Sequence, residues 1–332
     1  MTSPYDFAVM LPPNDLQGFP GVPVAPEMVA AVLNAGPPPS QPDLDEEHFR
    51  TLLQPPHPEL DQAIESGSAD RVLDELAKAR RRFSPEATFN TAIERAIACG
   101  RFDIMRLLID NGVPVNINNL EAAAQSGHIP ILEYLMKYFS WPIDCISDHG
   151  STILTLAVEH QDVVAWLLSE GADIDKEDAY SETPLSRAVQ KESKGVVKML
   201  LEAGADVTRG APLQASLLRK EGNANLELTK ELLTHGAHVN KFVGEGSPVW
   251  ERAGFEQMTA LQLACDGSHR NLAAVRLLLA YGADLRLNRR LLNGELLNTS
   301  AFVSAQGRGY TDIVSVMQEH VKESDGSSKS NL

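Results

Sequence analysis

Apolar residues recur at three- and four-residue spacing in short bursts along most of this chain, and a glycine or polar turn closes each burst. The segment SETPLSRAVQKESKGVVKMLLEAGADV, residues 181–207, holds one complete cycle. Leu185, Ala188 and Val189 fall on one face of a first helix, which Thr183 caps and Pro184 opens, since proline is tolerated at a helix's first position. Val196, Val197, Met199, Leu200 and Leu201 are the apolar positions of a second helix, and Gly204 stands where a left-handed residue ends it.

The cycle returns down the chain. Its closing phrase reads WLLSEGADI at 166–174, MLLEAGADV at 199–207, ELLTHGAHV at 231–239 and RLLLAYGADL at 276–285. The glycines Gly171, Gly204, Gly236 and Gly282 are 33, 32 and 46 residues apart, a period near 33 with one insertion. LLIDNGVPV, holding Gly112, is a weaker copy, and YLMKYFSWPID at 134–144 is a copy without its glycine. Such a period argues for one array of repeats rather than separate globular domains. Helices this short are marginal alone, so each pair must stack on the next. Small residues are expected where first helices approach, and Ala63, Ala96, Ala123, Ala157, Ala188, Ala264 and Ala305 recur there.

GSTILTLAVE (150–159), ETPLSRAV (182–189) and MTALQLAC (258–265), together with the Gly-Ala-Asp endings, resemble ankyrin repeats. The resemblance implies an all-α fold, an ankyrin-repeat solenoid of stacked helix-turn-helix units with β-turn or hairpin loops. Eight units are expected to begin near residues 56, 88, 117, 147, 177, 209, 241 and 287, covering about 56–322. Residues 1–55 read as a largely irregular extension with short helical islands at 26–34 and 43–53, since eleven of the chain's twenty prolines lie there. Residues 323–332 read as a disordered tail. In the units matched here, the usual histidine of the family's Thr-Pro-Leu-His stretch is replaced by Thr155, Ser186, Gln214 and Gln262, so the bonds that histidine makes are expected to be lost. The family's hydroxylated turn asparagine corresponds to Asn116 and Asn240, but Pro114 and His238 replace the usual acidic residue two positions earlier, so modification is not expected.

A formal net charge of −16 repels the phosphate backbone, so nucleic acid is not an expected direct ligand. The basic run KARRRF at 78–83 reads as the end of a helix, where cations favour the dipole. No apolar run is long enough for a bilayer span, the first residues lack a secretory pattern, and Cys99, Cys145 and Cys265 lack disulfide or zinc spacing. Cytoplasm or nucleus is the expected location, with a monomer the expected state.

His149 and His160, with Asp148 and Glu159 beside them, are the nearest approach to a metal or acid–base set, but their spacing suits no metal and fits a turn and a helix end. With no phosphate loop, nucleophile elbow or catalytic carboxylate pair, no catalytic residue, cofactor or metal is assigned. The function expected from the resemblance is non-enzymatic: a scaffold or adaptor binding a partner protein on a concave face. The alternative is an enzyme or small-molecule binder built on the same repeats. Counting from the cap of each unit, the partner-binding residues are expected to be Asp148, His149, Ser151, Tyr180, Glu182, Glu256 and Met258 at turn tips, and His160, Gln190 and Lys191 at first-helix ends. Trp250 and Phe255, in the insertion VGEGSPVWERAGFEQM at 243–258, complete the set as aromatic anchors.

Overall fold

The computed structural model describes residues 58–82, 85–147, 149–191, 193–218, 226–243, 245, 257–266, 270–290 and 296–329. The proline-rich extension and its two helical islands lie outside the described residues, as does most of the insertion at 243–258. Among the described residues, sixteen helices form eight consecutive pairs. They are α1 (Pro58–Ser66) with α2 (Ala69–Arg82), α3 (Pro85–Ala98) with α4 (Phe102–Asp110), and α5 (Ile117–Ser126) with α6 (Ile129–Phe139). The middle pairs are α7 (Ile153–Leu156) with α8 (Gln161–Ser169), α9 (Pro184–Gln190) with α10 (Lys194–Glu202), and α11 (Pro212–Ala215) with α12 (Leu226–Thr234). The last are α13 (Ala260–Ala264) with α14 (Leu272–Ala280), and α15 (Ala301–Gly307) with α16 (Thr311–Lys329). Each pair is one unit, and the fold is an all-α repeat stack.

Local chemistry sets the boundaries. Thr152, Thr183 and Thr259 cap their helices by accepting the N–H of Thr155, Ser186 and Gln262, and Pro184 and Pro212 sit in the first turn. Gly171, Gly204, Gly236 and Gly282 end the second helices at φ between 84° and 95°. In unit three Ser140 takes that place at φ 53°, and the same pair of closing bonds forms, from Ser140 N–H to Lys137 O and from Trp141 N–H to Met136 O. Arg80, Arg81 and Arg82 lie in the last turn of α2, where the basic run was expected to end a helix.

One continuous core runs through the stack. The seven alanines of the first helices are all at most 1% exposed. Unit six has no alanine there: Ser216 takes the position, and its hydroxyl donates to Leu213 O at 2.7 Å and meets the buried Thr229 hydroxyl at 2.9 Å. That partner from α12 offsets the cost of burying a hydroxyl.

The residues in the histidine position of the Thr-Pro-Leu-His stretch correct the expectation of a lost network. Gln214 Nε2 donates to Lys241 O at 2.8 Å, and Gln262 Nε2 to Leu287 O at 2.8 Å, each in the following unit's turn. Ser186 Oγ accepts the N–H of Ala211 at 3.0 Å, again across the unit boundary. Thr155 instead closes a capping box with Thr152 inside its own unit. Amides and hydroxyls of suitable reach therefore replace the ring.

Among the described residues, the turns that precede the first helices project as fingers from unit four onward. Helix α3 follows α2 after two residues, and Asn116, six residues beyond the last residue of α4, directly caps α5 by accepting N–H groups of Asn118 and Asn119. In three other units the residue in that turn position reaches the next unit: Asp144 accepts from Asp173 N–H, Asp175 from Asp206 N–H, and Asn240 from Asp284 N–H, at 2.8–3.0 Å. Asn116 has no such donor ahead of it, because unit three carries Pro142 at the corresponding place and proline lacks an N–H. Asn240 also donates to Gly282 O, so both turn asparagines have their side chains engaged.

The last finger is a hairpin of β1 (Asn288–Arg290) and β2 (Leu296–Ser300), antiparallel, with Asn288 opposite Ser300 and Arg290 opposite Leu296. Gln257 pairs with Arg290 on the other side of β1 through two backbone bonds of 2.9 and 3.1 Å, joining the fingers of units seven and eight. Helix α16 runs to Lys329, so residues 323–329 are helical rather than an unstructured tail. Buried Ile313 and Met317 anchor the first turns of α16, and adding turns to a formed helix requires no new nucleus.

Candidate protein-interaction site

The expected partner-binding residues fall into three sets. Those that the structure brings together lie in units three to five. The finger of unit four is closed by a bridge between Ile146 and Thr152, with Ser147 N–H bonded to Ser151 O at 2.9 Å and Ser151 N–H to Ser147 Oγ at 3.2 Å. His149 stands exposed on it, with Nδ1 2.9 Å from Oε2 of Glu121, a nearly buried carboxylate on α5 of the preceding unit.

The finger of unit five stacks on that of unit four. Ala179 N–H donates to Gly150 O at 2.8 Å, and the Tyr180 ring lies against Gly150, where a side chain would collide with Ala179 and the ring. Asp178 organises this finger from below: its Oδ1 accepts the N–H of Tyr180 at 2.8 Å and of Glu182 at 2.9 Å. Burial pushes the Asp178 carboxyl up to about 6, with the nearby Glu182 charge adding to the shift and the two N–H bonds and Arg187 opposing it.

Beside the tip, Glu182 accepts from Gln190 Nε2 at 2.6 Å and from Arg187 Nη1 at 3.3 Å, and Arg187 also donates to Gln190 Oε1. Lys191, at the end of the same helix, pairs with Glu159 of the unit before at 2.6 Å. That hydrogen bond, with the lysine's charge, holds the Glu159 carboxyl below its ordinary value. The result is a run of fixed polar side chains across two unit boundaries, with Glu159, Lys191, Glu182 and Arg187 supplying both charges.

The second set serves the stack itself. His160 precedes α8, lies over Gly127 and donates through Nε2 to Gln125 O at 2.7 Å, so its ring joins units three and four. His128 lies over Gly100 in the same manner. Met258 is half-buried in the stem of the unit-seven finger, where its carbonyl accepts Val243 N–H at 2.9 Å. His149 and His160 thus have different partners. The third set, Asp148, Trp250, Phe255 and Glu256, lies outside the described residues.

Sequence reasoning missed Glu121, Asp178 and Arg187 and weighed Glu159 only in the rejected metal set, and these are the residues that hold the expected ones. Glu121 carried a usable signal: it occupies the histidine position of the Thr-Pro-Leu-His stretch, whose replacements in other units reach toward the next finger.

Among the described residues no group of three or more His, Cys, Asp or Glu side chains is placed to hold a metal ion, and no helix is long and apolar enough to cross a membrane. Cys265 is buried in α13's core side, and burial pushes its thiol up to about 12, whereas Cys99 is exposed. At pH 8 a thiol-alkylating reagent is therefore expected to label Cys99 in the native protein and Cys265 only on denaturation, as peptide mass mapping would read; rapid native labelling of Cys265 would contradict this packing.

Family models for ankyrin repeats match the chain at residues 120–211, as three copies, and at 256–290. A putative ankyrin repeat-containing protein of Treponema pallidum is 33% identical over 136 residues, 40% of this chain and 45% of that protein. The ankyrin repeat and KH domain-containing protein mask-1 of Caenorhabditis elegans is 30% identical over 228 residues, 59% of this chain and 8% of that protein. The chain thus spans less than half the length of either relative. Among solved structures, the human ASB11 ankyrin repeat domain is similar with a TM-score of 0.48 and 22% identity, over 68% of this chain and 98% of that one. Repeats of this kind generally mediate protein–protein interactions and are typically non-enzymatic. The 33-residue period, the capped helix pairs ended by left-handed glycines and the two family matches agree: this chain is an ankyrin repeat protein.

Proposed function

We propose that this chain is a non-enzymatic adaptor, acting in the cytoplasm or nucleus, that receives a folded protein partner on the fingers and first-helix ends of units four and five. The observation that carries this reading is the fixing of that surface, across units where His149 is held by Glu121 and Lys191 by Glu159, and within unit five where Glu182 is held by Arg187 and Gln190. Side chains held before the partner arrives lose little conformational freedom on binding, so more of the contact energy becomes affinity. The presence of both charges along the surface favours a partner that carries both signs over a uniformly charged one. Trp250 and Phe255, in the insertion of unit seven, are the aromatic residues proposed as further anchors for the partner.

The test is capture of a partner from native extract by the wild type and by Lys191→Glu, Tyr180→Ala and Trp250→Ala, with unfolding midpoints measured in parallel. Lys191→Glu is expected to reduce capture at least fivefold while moving the midpoint little, since an exposed ion pair contributes roughly 0–1 kcal/mol. Undiminished capture by all three variants would place the interface elsewhere. Loss of stability in Tyr180→Ala or Trp250→Ala would make that residue part of the packing.

A further inference from the structure

Where fingers meet, the returning strand of one unit is covered by the outgoing strand of the next. Gly150 O accepts Ala179 N–H between units four and five, and Gln257 exchanges two backbone bonds with Arg290 between units seven and eight. The returning strand of unit eight is β2, from which the chain runs directly into α15 and α16. Among the described residues β2 pairs with β1 alone.

The register fixes which way its backbone faces. Arg290 commits its N–H and C=O to Gln257, so its pairing with Leu296 across the hairpin is a non-hydrogen-bonded one. Leu296 therefore turns its own N–H and C=O away from β1. Among the described residues no backbone bond reaches that side of β2.

Proteins ordinarily guard such an edge with charge or proline. β2 reads Leu-Leu-Asn-Thr-Ser and carries neither. The arginines nearest to it in sequence are engaged toward unit seven, Arg289 and Arg308 with Asp266 and Arg290 with Glu245. Val303 stands three residues beyond the cap Ser300, the position from which Gln214 and Gln262 reach the turn of the following unit. It is 42% exposed, and in place of an amide it offers an apolar surface to whatever strand lies alongside.

We propose that β2 pairs with β2 of a second copy of this chain, antiparallel about a two-fold axis, so that the two last fingers join into one sheet. An uncharged strand brings no like charge opposite its twin, and a two-fold contact closes both edges at once. Main-chain bonds supply the affinity, as in other additions of a strand to a sheet edge, with Val303 as the apolar support. At net charge −16 the two copies repel at a distance, so the association tightens as salt screens that repulsion. The dimer replaces the monomer expected from the sequence and is independent of the surface on units four and five.

Sedimentation of the full chain over a range of concentrations, at low and at high salt, is the test. A monomer–dimer equilibrium is expected, with dimerisation at least threefold tighter at the higher salt. Val303→Glu, at an exposed position, is expected to weaken it at least tenfold with an unchanged unfolding midpoint. Leu296→Pro removes an N–H that faces away from β1, a place where a strand tolerates proline, and is expected to weaken it as much. In the wild type, amide exchange at Leu296 is expected to slow as concentration rises, while exchange at Ser151 in the finger of unit four stays constant. A monomer at every concentration, a dimer that both variants leave intact, or a dimer that dissolves as salt is raised would overturn the proposal. So would a Leu296 amide protected only when an extended apolar peptide is added, which would assign the edge to a strand of another protein.

Discussion

Replacing Gly210 by alanine is expected to destabilise the protein by about 3 kcal/mol, roughly three times the cost of the same change at Gly204. Both glycines have positive φ, 58° and 89°, so each substitution pays for a left-handed backbone, on the order of 1 kcal/mol. Their surroundings differ. Nothing lies within 4 Å of a side chain added at Gly204, which faces open space at the end of α10. At Gly210 the added carbon would collide with Ser186 Oγ and lie 2.9 Å from Thr183 Oγ1 and 3.3 Å from the Thr183 nitrogen. Those two hydroxyls form the cap of α9, and Ser186 Oγ also accepts Ala211 N–H from the next unit. The substitution therefore disturbs a cap and a cross-unit bond at once. Urea unfolding of Gly204→Ala, Gly204→Val and Gly210→Ala would read the order; equal midpoints for the two alanine variants would contradict the packing of this finger.

The second large effect is expected at Asp178. Removing its carboxyl leaves the N–H groups of Tyr180 and Glu182 without their acceptor, a loss of about 2 kcal/mol in Asp178→Ala. Asparagine keeps an oxygen in place for both N–H groups and carries no charge to bury, so Asp178→Asn is expected to be at least as stable as the wild type at pH 7. The two should diverge with pH in a defined sense. Because burial raises the folded-state carboxyl to about 6, the native protein takes up a proton before the unfolded chain does as pH falls. Stability from this group is therefore present at low pH and lost as pH rises through 6. Between pH 7 and pH 5 the wild type is expected to gain about 1 kcal/mol on Asp178→Asn. A stability difference between the two that is constant across that range would show that Asp178 is not held in the buried site described.

Thr183, Pro184 and Gly204 were legible in the sequence because caps, first-turn prolines and left-handed ends depend on residues a few positions apart. The eight-unit stack followed from their period. What escaped was whatever depends on the facing unit. Ser216 reads as an interruption of the alanine series until Thr229 is seen beside it. Gln214 and Gln262 read as departures until Lys241 O and Leu287 O are seen to accept from them. His149, Tyr180, Glu182, Gln190 and Lys191 could be placed at tips and helix ends by counting, but counting gives no partners. Glu121 and Glu159, each held from the next unit along, lie 28 and 32 residues from the side chains they hold, and no local pattern encodes a pairing at that distance. The contact that His160 makes escaped for the same reason: Gly127, the bare backbone that receives its ring, lies in the preceding unit.

The contrast between the short connections before α3 and α5 and the fingers from unit four onward gives the array a direction. Beyond unit four each boundary carries bonds from finger to finger or from helix to finger, such as Ala179 to Gly150 and Gln214 to Lys241, on top of the helix packing. At the boundary of units one and two the side-chain bonds come from arginines at the surface, Arg101 to Glu65 O and Arg80 to Asn111 O, which water competes for. In a nearly one-dimensional stack each interface contributes separately to the cost of opening. Fraying that begins at unit one therefore advances over the weaker steps and stalls where His149 meets Glu121 and His160 meets Gln125 O, between units three and four, leaving the later units folded as a block. Pro142, by denying Asn116 a donor, stands next to that stalling point, so one residue's lack of an N–H helps to mark how far the chain can loosen from its front.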